Sequence, residues 1–400
     1  MMMRRTALRF GFREVATPIF EHTELFTLKS GPAIVEEIYA FQDKGGREIA
    51  LRPELTAPVI RFFVNELTNF PRPLKLFYAG PCFRYERPQS GRYREFYQFG
   101  AELIGNKNPE SDAEVIGLAA SIMRAIGLDQ HHIRVGHIGI LRDRMSDHGV
   151  DDGSCAKILQ KLDKKMYEEA RSMMEEAGIP DHAIEEMFGI TQVRGDVSVL
   201  EGMEGEDIDY LKGVFQVLEW YGMDDIEVDL GVVRGLDYYT GIVFEVEAPS
   251  LGAEKQVCGG GSYSLSELFG GEPTFSTGFA IGFDRVLMAL DKEGVDNEPE
   301  GLDVFVVPVD DDLRSLAFQL TARLRESGLA TDVDLMRRSI GKSFKYADSM
   351  GARFAVVVGQ RELDQGSISV RDMRSGEQRL VSLDEVVGHL LEETRRVSSS

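Results

Sequence analysis

The chain has 400 residues, 43% hydrophobic and 28% charged, which is the composition of a globular protein long enough for two or three domains with sizeable cores. Its formal net charge of −22 argues against non-specific coating of nucleic acid, although a specific nucleic acid held on local basic patches stays compatible with that charge. The sequence contains no apolar run of about 18 residues that would predict a membrane span, and its N-terminus lacks the apolar stretch of a signal peptide.

The first 150 residues predict a β-rich domain. Residues 8–12 have the pattern of the last turn of a helix, and residues 15–19 predict a short edge strand. Residues 109–126 have the periodicity of an amphipathic helix, with Asn108 or Ser111 as its N-cap. Alternating or apolar segments predict three further strands, at 49–51, 74–78 and 95–104.

Residues 83–96 (FRYERPQSGRYREF) are strongly basic against the acidic background and suggest a site for a polyanion. Arg84 and Glu86 lie two apart, so on a strand both side chains would share a face, one neutralising a phosphate and one accepting from a base edge. Residues 88–91 predict a turn and residues 92–96 the returning strand, with Phe96 placed to stack on a purine. The alternative is an exposed hairpin with solubilising charges.

Residues 151–222 differ in character, because they have helical periodicity at 157–177 and 206–221 and few strand formers. We expect a helical insertion within the β-rich domain, whose strands resume at 226–230 and 242–247. Residues 291–303 are acidic, contain glycine and proline, and predict a linker.

Strands and helices alternate beyond the linker and predict a compact α/β domain with a mixed sheet. The predicted elements are strands at 304–309, 332–336 and 354–358, helices at 313–326, 342–350 and 384–393, and a hairpin of 367–373 with 377–381.

The three cysteines, Cys82, Cys155 and Cys258, show no paired spacing, and the histidines form no ligand cluster. This pattern argues against a disulfide framework and a zinc site, and no metal-ligating residue is predicted. We expect each cysteine to be a small core residue of a protein in a reducing compartment, the cytoplasm.

Four further segments carry chemistry: residues 51–58 (LRPELTAP), 234–241 (RGLDYYTG), 258–263 (CGGGSY) and 277–285 (TGFAIGFDR). Together with the arginine hairpin they resemble the class II aminoacyl-tRNA synthetases and, within that class, the histidyl-tRNA synthetases. The hairpin and 277–285 resemble motifs 2 and 3 of the class. Residues 234–239 and the glycine-rich loop before Tyr263 resemble the two histidine-specific motifs, and the resemblance covers nearly the whole chain.

The resemblance implies an α+β fold, with an antiparallel β-sheet catalytic core flanked by helices, a helical insertion and a C-terminal α/β anticodon-binding domain. The implied divisions are 1–150 for the first part of the core, 151–222 for the insertion, 223–295 for the second part of the core and 301–396 for the anticodon-binding domain. A homodimer is implied as well.

The implied activity is ATP-dependent activation of L-histidine, followed by transfer to the 3′ end of tRNA(His). Its transition state spreads negative charge over a phosphate, which favours positioned cations. Arg84 and Arg234 match the two arginines on the α-phosphate, and they are the implied catalytic residues. Mg²⁺ bridging the other phosphates is expected, although no motif shows it. The implied ATP-binding residues are Arg84, Glu86, Arg92, Phe96 and Arg285.

Histidine needs acceptors for its ammonium group and a partner at each imidazole nitrogen. Glu54, Thr56 and Gln98 match the ammonium partners, while Glu102 and Tyr239 match the residues that grip the ring. Gln98 and Glu102 lie four residues apart on one predicted strand, so their side chains project to the same face. This spacing supports the assignment independently of the resemblance. The resemblance also assigns Arg84, Arg234, Tyr238 and Tyr263 to the histidine pocket.

The C-terminal segment 337–345 is the basic cluster of the implied anticodon-binding domain, and its implied tRNA-binding residues are Arg337, Arg338, Lys342 and Lys345. Solvated surface charges are the alternative. For the insertion we hypothesise a contact with the tRNA acceptor arm.

Two departures from the family pattern are visible. The chain opens near the end of the long helix that precedes motif 1, so we expect a shortened N-terminus and a weakened dimer. Ser262 stands where many relatives have arginine, as in an archaeal-like variant. Two rival functions remain: a non-catalytic, histidine-binding regulatory subunit of ATP phosphoribosyltransferase, which lacks the anticodon-binding domain, and a truncated synthetase that binds ligand without activity.

Overall fold

The computed structural model describes residues 1–86, 91–232, 238–295 and 301–398. The chain divides into two compact units, Met1–Asp296 and Asn297–Ser400. The described helices are α1 Met2–Arg9, α2 Thr23–Ser30, α3 Thr56–Phe62, α4 Pro109–Ala125, α5 Gly139–Asp147, α6 Asp152–Asp163, α7 Tyr167–Glu176, α8 Asp181–Ile190, α9 Glu206–Trp220, α10 Phe283–Lys292, α11 Arg314–Glu326, α12 Ile340–Ser349, α13 Gln360–Leu363 and α14 Val386–Ser398.

The described strands are β1 Arg13–Glu14, β2 Phe20–His22, β3 Ala40–Gln42, β4 Glu48–Leu51, β5 Leu74–Phe83, β6 Glu95–Ile104, β7 His132–His137, β8 Arg194–Gly195, β9 Ile226–Asp229, β10 Tyr239–Glu247, β11 Gln256–Tyr263, β12 Ser276–Gly282, β13 Val304–Pro308, β14 Thr331–Val333, β15 Phe354–Val358, β16 Ser367–Asp372 and β17 Gln378–Ser382.

A nine-stranded sheet in the order β1-β5-β6-β12-β11-β10-β7-β9-β8 forms the centre of the first unit. Its six middle strands, in the order β5-β6-β12-β11-β10-β7, run antiparallel to one another, while the pairs β1–β5 and β7–β9 are parallel. The expected antiparallel core is therefore confirmed, with parallel strands added towards the edges. A small antiparallel sheet, β2-β4-β3, accompanies it.

Helix α4 covers one face of this sheet. Its N-terminus has Asn108 at the N-cap position and Pro109 in the first turn, where a missing N–H costs no hydrogen bond. Ser262 of β11 bonds to this helix, whereas the next residue, Tyr263, bonds to Glu102 of β6. Successive strand residues point to opposite faces, so α4 and Glu102 lie on opposite faces of the sheet.

Residues 15–19 are not a strand, contrary to expectation, because β1 ends before them and β2 begins after them. The backbone carbonyls of Thr17 and Pro18 accept hydrogen bonds from the buried guanidinium of Arg52, at 2.8 and 3.2 Å. These carbonyls are therefore used by a side chain instead of a neighbouring strand.

The expected helix at 157–177 is two helices, α6 and α7, separated at Lys165, which has a positive φ of 57°. A left-handed residue cannot continue a right-handed helix. Helix α8 was not predicted, and the segment between α5 and β9 is otherwise helical apart from the two-residue strand β8.

The second unit has a five-stranded mixed sheet in the order β14-β13-β15-β16-β17, as expected. Strands β14, β13 and β15 are parallel, and β16 and β17 add the antiparallel hairpin. Strand β14 is shorter than predicted, since the Asp334 carboxylate accepts the backbone N–H of Arg338 and bends the chain away from the sheet.

Candidate active site

Glu102 lies at the centre of the candidate site, on β6, and is 1% exposed. Its Oε1 accepts a hydrogen bond from the Tyr78 hydroxyl at 2.8 Å, and its Oε2 accepts one from the Tyr263 hydroxyl at 2.5 Å. Tyr78 gives its proton to Glu102, so the Thr56 hydroxyl, 3.3 Å from Tyr78 Oη, donates to Tyr78. The carboxylate is buried, but both its oxygens are satisfied by named donors.

Gly278 makes room for this carboxylate. It lies directly opposite Glu102 in the β6–β12 pair, and a Cβ built on it would stand 1.7 Å from Glu102 Oε2. On the same face, a Cβ on Gly100 would stand 2.5 Å from the Tyr78 ring. Glycine at these two positions therefore permits the close approach of the buried side chains.

Burial raises the pKa of Glu102 to about 7, because desolvation disfavours the carboxylate, while the hydrogen bonds from Tyr263 and Tyr78 act in the opposite direction. Burial, together with the nearby carboxylate, raises the pKa of the Tyr78 and Tyr263 hydroxyls well above 10. Glu102 is thus a buried carboxyl that can change its protonation near neutral pH.

Glu54 lies at the entrance to α3. The backbone N–H of Thr56 donates to its Oε2 at 2.8 Å, and the N–H of Ala57 donates to its Oε1 at 3.0 Å. The ammonium of Lys29, from α2, lies 3.2 Å from Glu54 Oε2. Glu54 thus combines two backbone donors with a cation.

Three tyrosines form the aromatic wall of the site. The rings of Tyr238 and Tyr239 lie 4.5 Å apart, and the Tyr238 ring meets Tyr263 edge to face at 5.7 Å. The Lys29 ammonium lies 4.3 Å from the Tyr238 ring centroid. Contacts therefore run in a closed circuit through Lys29, Glu54, Thr56, Tyr78, Glu102, Tyr263 and Tyr238.

Gln98 shares the sheet face of Glu102, as its spacing predicted. It pairs with Gly80 and Gly282, in register with the pairing of Glu102 to Leu76 and Gly278. The Cys82 thiol donates to Gln98 Oε1 at 3.3 Å, and burial raises the pKa of that thiol to about 12. All three cysteines are free and buried, as expected for core residues.

The arginine hairpin lies at the end of the β5–β6 pair. Arg84 and Glu86 are past the end of β5, so the prediction that they sit on a strand is wrong. Their side chains still approach each other, at 4.0 Å between Arg84 Nη1 and Glu86 Oε1, and Arg92 Nη1 lies 3.9 Å from Glu86 Oε2. The Arg84 guanidinium lies 5.1 Å from the Phe96 ring centroid on β6.

Arg285 is in the first turn of α10, as predicted. Its Nη1 donates to the Gln256 carbonyl at 3.0 Å and its Nε to the Gly91 carbonyl at 3.5 Å, which links motif 3 to the arginine hairpin. Arg234 and residues 88–90 of the predicted turn lie outside the described residues.

Ser262 is fully buried on the opposite face of the sheet. Its hydroxyl donates to Asp112 Oδ1 of α4 at 2.7 Å, and the Tyr210 hydroxyl of α9 donates to Oδ2 at 2.7 Å. Burial raises the pKa of Asp112. The serine thus ties β11 to the helical layer from a fully buried position.

The predicted basic cluster of the second unit is only partly surface charge. Arg338 is paired with the buried Asp334 at 2.6 Å and covers the Tyr346 ring at 4.0 Å. Arg337 is exposed and pairs with Asp311 at 2.8 Å. Lys342 and Lys345 lie exposed on α12.

Sequence reasoning missed Lys29 and Tyr78 as site residues. Tyr78 falls on a predicted strand, where the alternation of residues places it on the buried face. A buried tyrosine hydroxyl needs a polar partner, and this could have indicated that Tyr78 belongs to the site. For Lys29 the partner comes from a distant loop, which periodicity does not reveal.

Within the described ranges, no group of three or more histidine, cysteine or acidic side chains is arranged to hold a metal ion. In the same part of the chain, no helix is both long and apolar enough to cross a membrane.

The antiparallel sheet, the arginine hairpin at its end and the glycine–helix segment of Arg285 define the catalytic core of a class II aminoacyl-tRNA synthetase. A sequence model of the family described as Histidyl-tRNA synthetase matches residues 2–286, and one described as Anticodon binding domain matches residues 303–393. The chain belongs to the histidyl-tRNA synthetase family.

Individual relatives agree with this assignment. A histidine–tRNA ligase of Archaeoglobus fulgidus is 46% identical over 387 residues, which span 96% of this chain and 92% of that protein. One of Methanocaldococcus jannaschii is 40% identical over 391 residues, with the same coverage. The predicted resemblance, including its archaeal character, is confirmed.

Solved structures share the fold. A histidyl-tRNA synthetase from Nostoc has a TM-score of 0.83 at 25% identity, covering 98% of this chain and 94% of that one. A protein from Bacillus halodurans described as an ATP phosphoribosyltransferase regulatory subunit/histidyl-tRNA synthetase has a TM-score of 0.75 at 24% identity, covering 90% of this chain and 93% of that one. The fold alone therefore does not separate the two functions, whereas the sequence relatives favour the ligase.

Proposed function

We propose that the chain is a histidine–tRNA ligase, which activates L-histidine with ATP to histidyl-adenylate and transfers the histidyl group to the 3′ end of tRNA(His). The single observation that carries the proposal is the buried Glu102, which two tyrosine hydroxyls hold within the region that matches the histidyl-tRNA synthetase family. Burying a carboxylate is costly, and buried carboxylates with raised pKa values cluster at functional sites.

The imidazole of histidine would enter beside Glu102, which would accept a hydrogen bond from one ring nitrogen, while Tyr239 would meet the other end. An amino acid without ring nitrogens would place an apolar group against Glu102, which would keep only its two tyrosine donors, and a site built to hydrogen-bond its substrate can reject such analogues by about 10⁴-fold without editing. Tyr238 and Tyr263 would enclose the ring.

The α-ammonium of histidine would bind at Glu54, Thr56 and Gln98. Glu54 supports this role because its carboxylate is oriented by two backbone N–H groups. The ammonium and the imidazole would then be recognised by two separate carboxylates, which fixes the orientation of the amino acid.

In the activation step, a carboxylate oxygen of histidine would attack the α-phosphorus of ATP, and pyrophosphate would leave. Arg84 and Arg234 would neutralise the charge that builds up on the α-phosphate, since a guanidinium binds oxyanions through two donors and stays protonated. Glu86 would accept from the adenine amino group, Phe96 and Arg285 would enclose the adenine, and Arg92 would lie near the outer phosphates.

Mg²⁺ is expected to arrive with ATP. It usually keeps several waters and binds through phosphates with one or two carboxylates. Among the described residues no group of three or more acidic, histidine or cysteine side chains could hold the ion, so it would be held mainly by phosphate oxygens and water. When bound, the ion would offset phosphate charge.

We also propose that the second unit binds the anticodon arm of tRNA(His) through Arg337, Arg338, Lys342 and Lys345, and that the helices between 151 and 222 contact the acceptor arm. The divisions 1–150, 151–222, 223–295 and 301–396 would then have separate roles. A cytoplasmic homodimer completes the proposal.

Amino-acid-dependent exchange of pyrophosphate into ATP tests the activation step. The purified chain should catalyse exchange with histidine and with no other standard amino acid. Arg84→Met should abolish it, while Arg124→Met, which removes an exposed ion pair with Asp225, should leave it unchanged. Histidine binding without exchange would instead support the regulatory-subunit or inactive-synthetase reading.

A further inference from the structure

We infer that Lys29 is a positioning residue of the amino-acid pocket, which holds Glu54 so that one of its oxygens meets the α-ammonium of histidine. The inference rests on the proposed function and deepens it. Nothing in the local sequence marks Lys29, and its place follows from contacts that only the fold creates.

Lys29 is an unusually buried lysine. Its side chain is 5% exposed, although it lies near the end of the short helix α2. A buried ammonium must be paired, because desolvation of an isolated charge is costly. Among the described residues it pairs with the Glu54 carboxylate at 3.2 Å and lies over the Tyr238 ring, 4.3 Å from its centroid.

The two partners come from different parts of the candidate site. Glu54 precedes α3, and Tyr238 immediately precedes β10. Lys29 therefore joins the proposed ammonium subsite to the aromatic wall of the proposed imidazole subsite. Loss of the Lys29 charge should be felt mainly at Glu54, with which it forms the ion pair, while Glu102 keeps its own donors, Tyr78 and Tyr263.

The hydrogen bonds at Glu54 show which oxygen is left for a ligand. Oε2 receives both the Thr56 N–H and the Lys29 ammonium, whereas Oε1 receives the Ala57 N–H. A carboxylate oxygen has two lone-pair directions. Among the described contacts, the remaining direction is therefore on Oε1, and Lys29 directs the substrate ammonium to that oxygen.

A ligand series separates this role from other roles of a lysine in the pocket. Histidine carries ammonium, carboxylate and imidazole; histidinol lacks the carboxylate; 3-(imidazol-4-yl)propionate lacks the ammonium. Lys29→Met keeps the apolar stem and removes the charge. It should weaken histidine and histidinol by about tenfold, as expected when a charge-assisted hydrogen bond is misaligned, and change imidazolylpropionate by less than about twofold.

Lys75→Met is the matched control. Lys75 also pairs with a carboxylate, Glu114, and lies 5.5 Å from an aromatic ring, that of Phe12. It pairs with Leu103 in the β5–β6 register and so points to the sheet face opposite Glu102. Its replacement should leave the affinities of all three ligands unchanged in calorimetric titrations.

Several outcomes would overturn the inference. Equal losses of affinity for all three ligands would mean that the variant has lost the shape of the pocket. Losses of affinity confined to histidine and imidazolylpropionate would mean that Lys29 binds the substrate carboxylate instead. Unchanged or tighter binding would mean that Lys29 does not orient Glu54. If Lys29→Met does not fold, Lys29→Gln, which keeps a donor, must show the same order of losses.

The results that would overturn the proposed function differ from those that would overturn only the role of Lys29. A wild-type chain that binds none of the three ligands would overturn both the function and the role of Lys29. A wild-type chain that binds histidine, with a Lys29→Met variant that fails to distinguish ligands by their ammonium group, would overturn the role of Lys29 alone.

Discussion

Replacing Glu102 by glutamine should make the protein more stable and less able to use histidine. The amide has the same shape, carries no charge, and can accept from one of the two tyrosine hydroxyls while donating to the other. It removes the cost of a desolvated carboxylate in a residue that is 1% exposed. It also removes the negative charge of the acceptor proposed for the imidazole, so histidine-dependent exchange should fall by at least about 100-fold.

The size of the stability change follows from the raised pKa. Glu102 has a pKa of about 7 in the folded chain, against 4.5 for an ordinary glutamate. Between these values the unfolded chain loses its proton while the folded chain keeps it, so the stability of the wild type falls as the pH rises through this window. The cost is about 1 kcal/mol at pH 5.5 and about 3 kcal/mol at pH 8.5.

The stability advantage of Glu102→Gln over the wild type should therefore be about 2 kcal/mol larger at pH 8.5 than at pH 5.5. Hydrogen exchange of peptides from β5 and β6, measured against urea concentration by mass spectrometry, reports on the first unit separately from the second. An advantage that stays constant or shrinks as the pH rises would refute the reasoning that burial raises the pKa of Glu102.

Three further predictions follow from individual contacts. Arg134 pairs with Asp229, Glu245 and Glu247, so Arg134→Met should lower the unfolding free energy of the first unit by about 3 kcal/mol or more. The exposed ion pair of Arg124 should contribute less than about 1 kcal/mol to the same free energy. Equal losses for the Arg134 and Arg124 variants in urea unfolding would contradict this prediction. Gly278→Ala should raise the KM for histidine far more than the KM for ATP in exchange assays, since the new Cβ displaces the Glu102 carboxylate. Lys342→Met should leave pyrophosphate exchange unchanged. It should make the slope of the logarithm of tRNA affinity against the logarithm of salt concentration shallower by about one unit, which corresponds to one lost phosphate contact. An unchanged slope in filter-binding titrations would show that Lys342 is not part of the tRNA interface.

The sheet face of the candidate site was predictable because strand alternation depends only on local sequence. Gln98 and Glu102 were expected on one face of a strand at 95–104, and the structure places them there on β6. The register to β12 was not predictable, since it depends on pairing with a strand far along the chain. The close approach of Gly278 to Glu102 therefore appears only in the folded chain.

Expectations failed where a side chain takes over a role of the backbone. Residues 15–19 have a strand-like composition, but Arg52 uses two of their carbonyls. Likewise, β14 ends at Val333, three residues before its predicted end, because Asp334 bonds to the backbone N–H of Arg338 and turns the chain away. Both contacts depend on tertiary structure, which a local pattern does not contain.

Lys29 marks the same limit within the site. An isolated lysine near a helix end ordinarily indicates a solvated charge, and its burial depends on Glu54 and Tyr238 arriving from separate segments. Motif resemblance identified Glu54 and Tyr238 but gave no role to the residue that touches both.

Charging of tRNA(His) tests the central claim most directly. The full chain should attach radiolabelled histidine to the 3′ end of a tRNA(His) transcript in the presence of ATP and Mg²⁺, should not charge a tRNA with a different identity, and should lose this activity in Glu102→Gln. Histidine binding without any charged tRNA(His), or charging that survives the loss of the Glu102 carboxylate, would contradict the account.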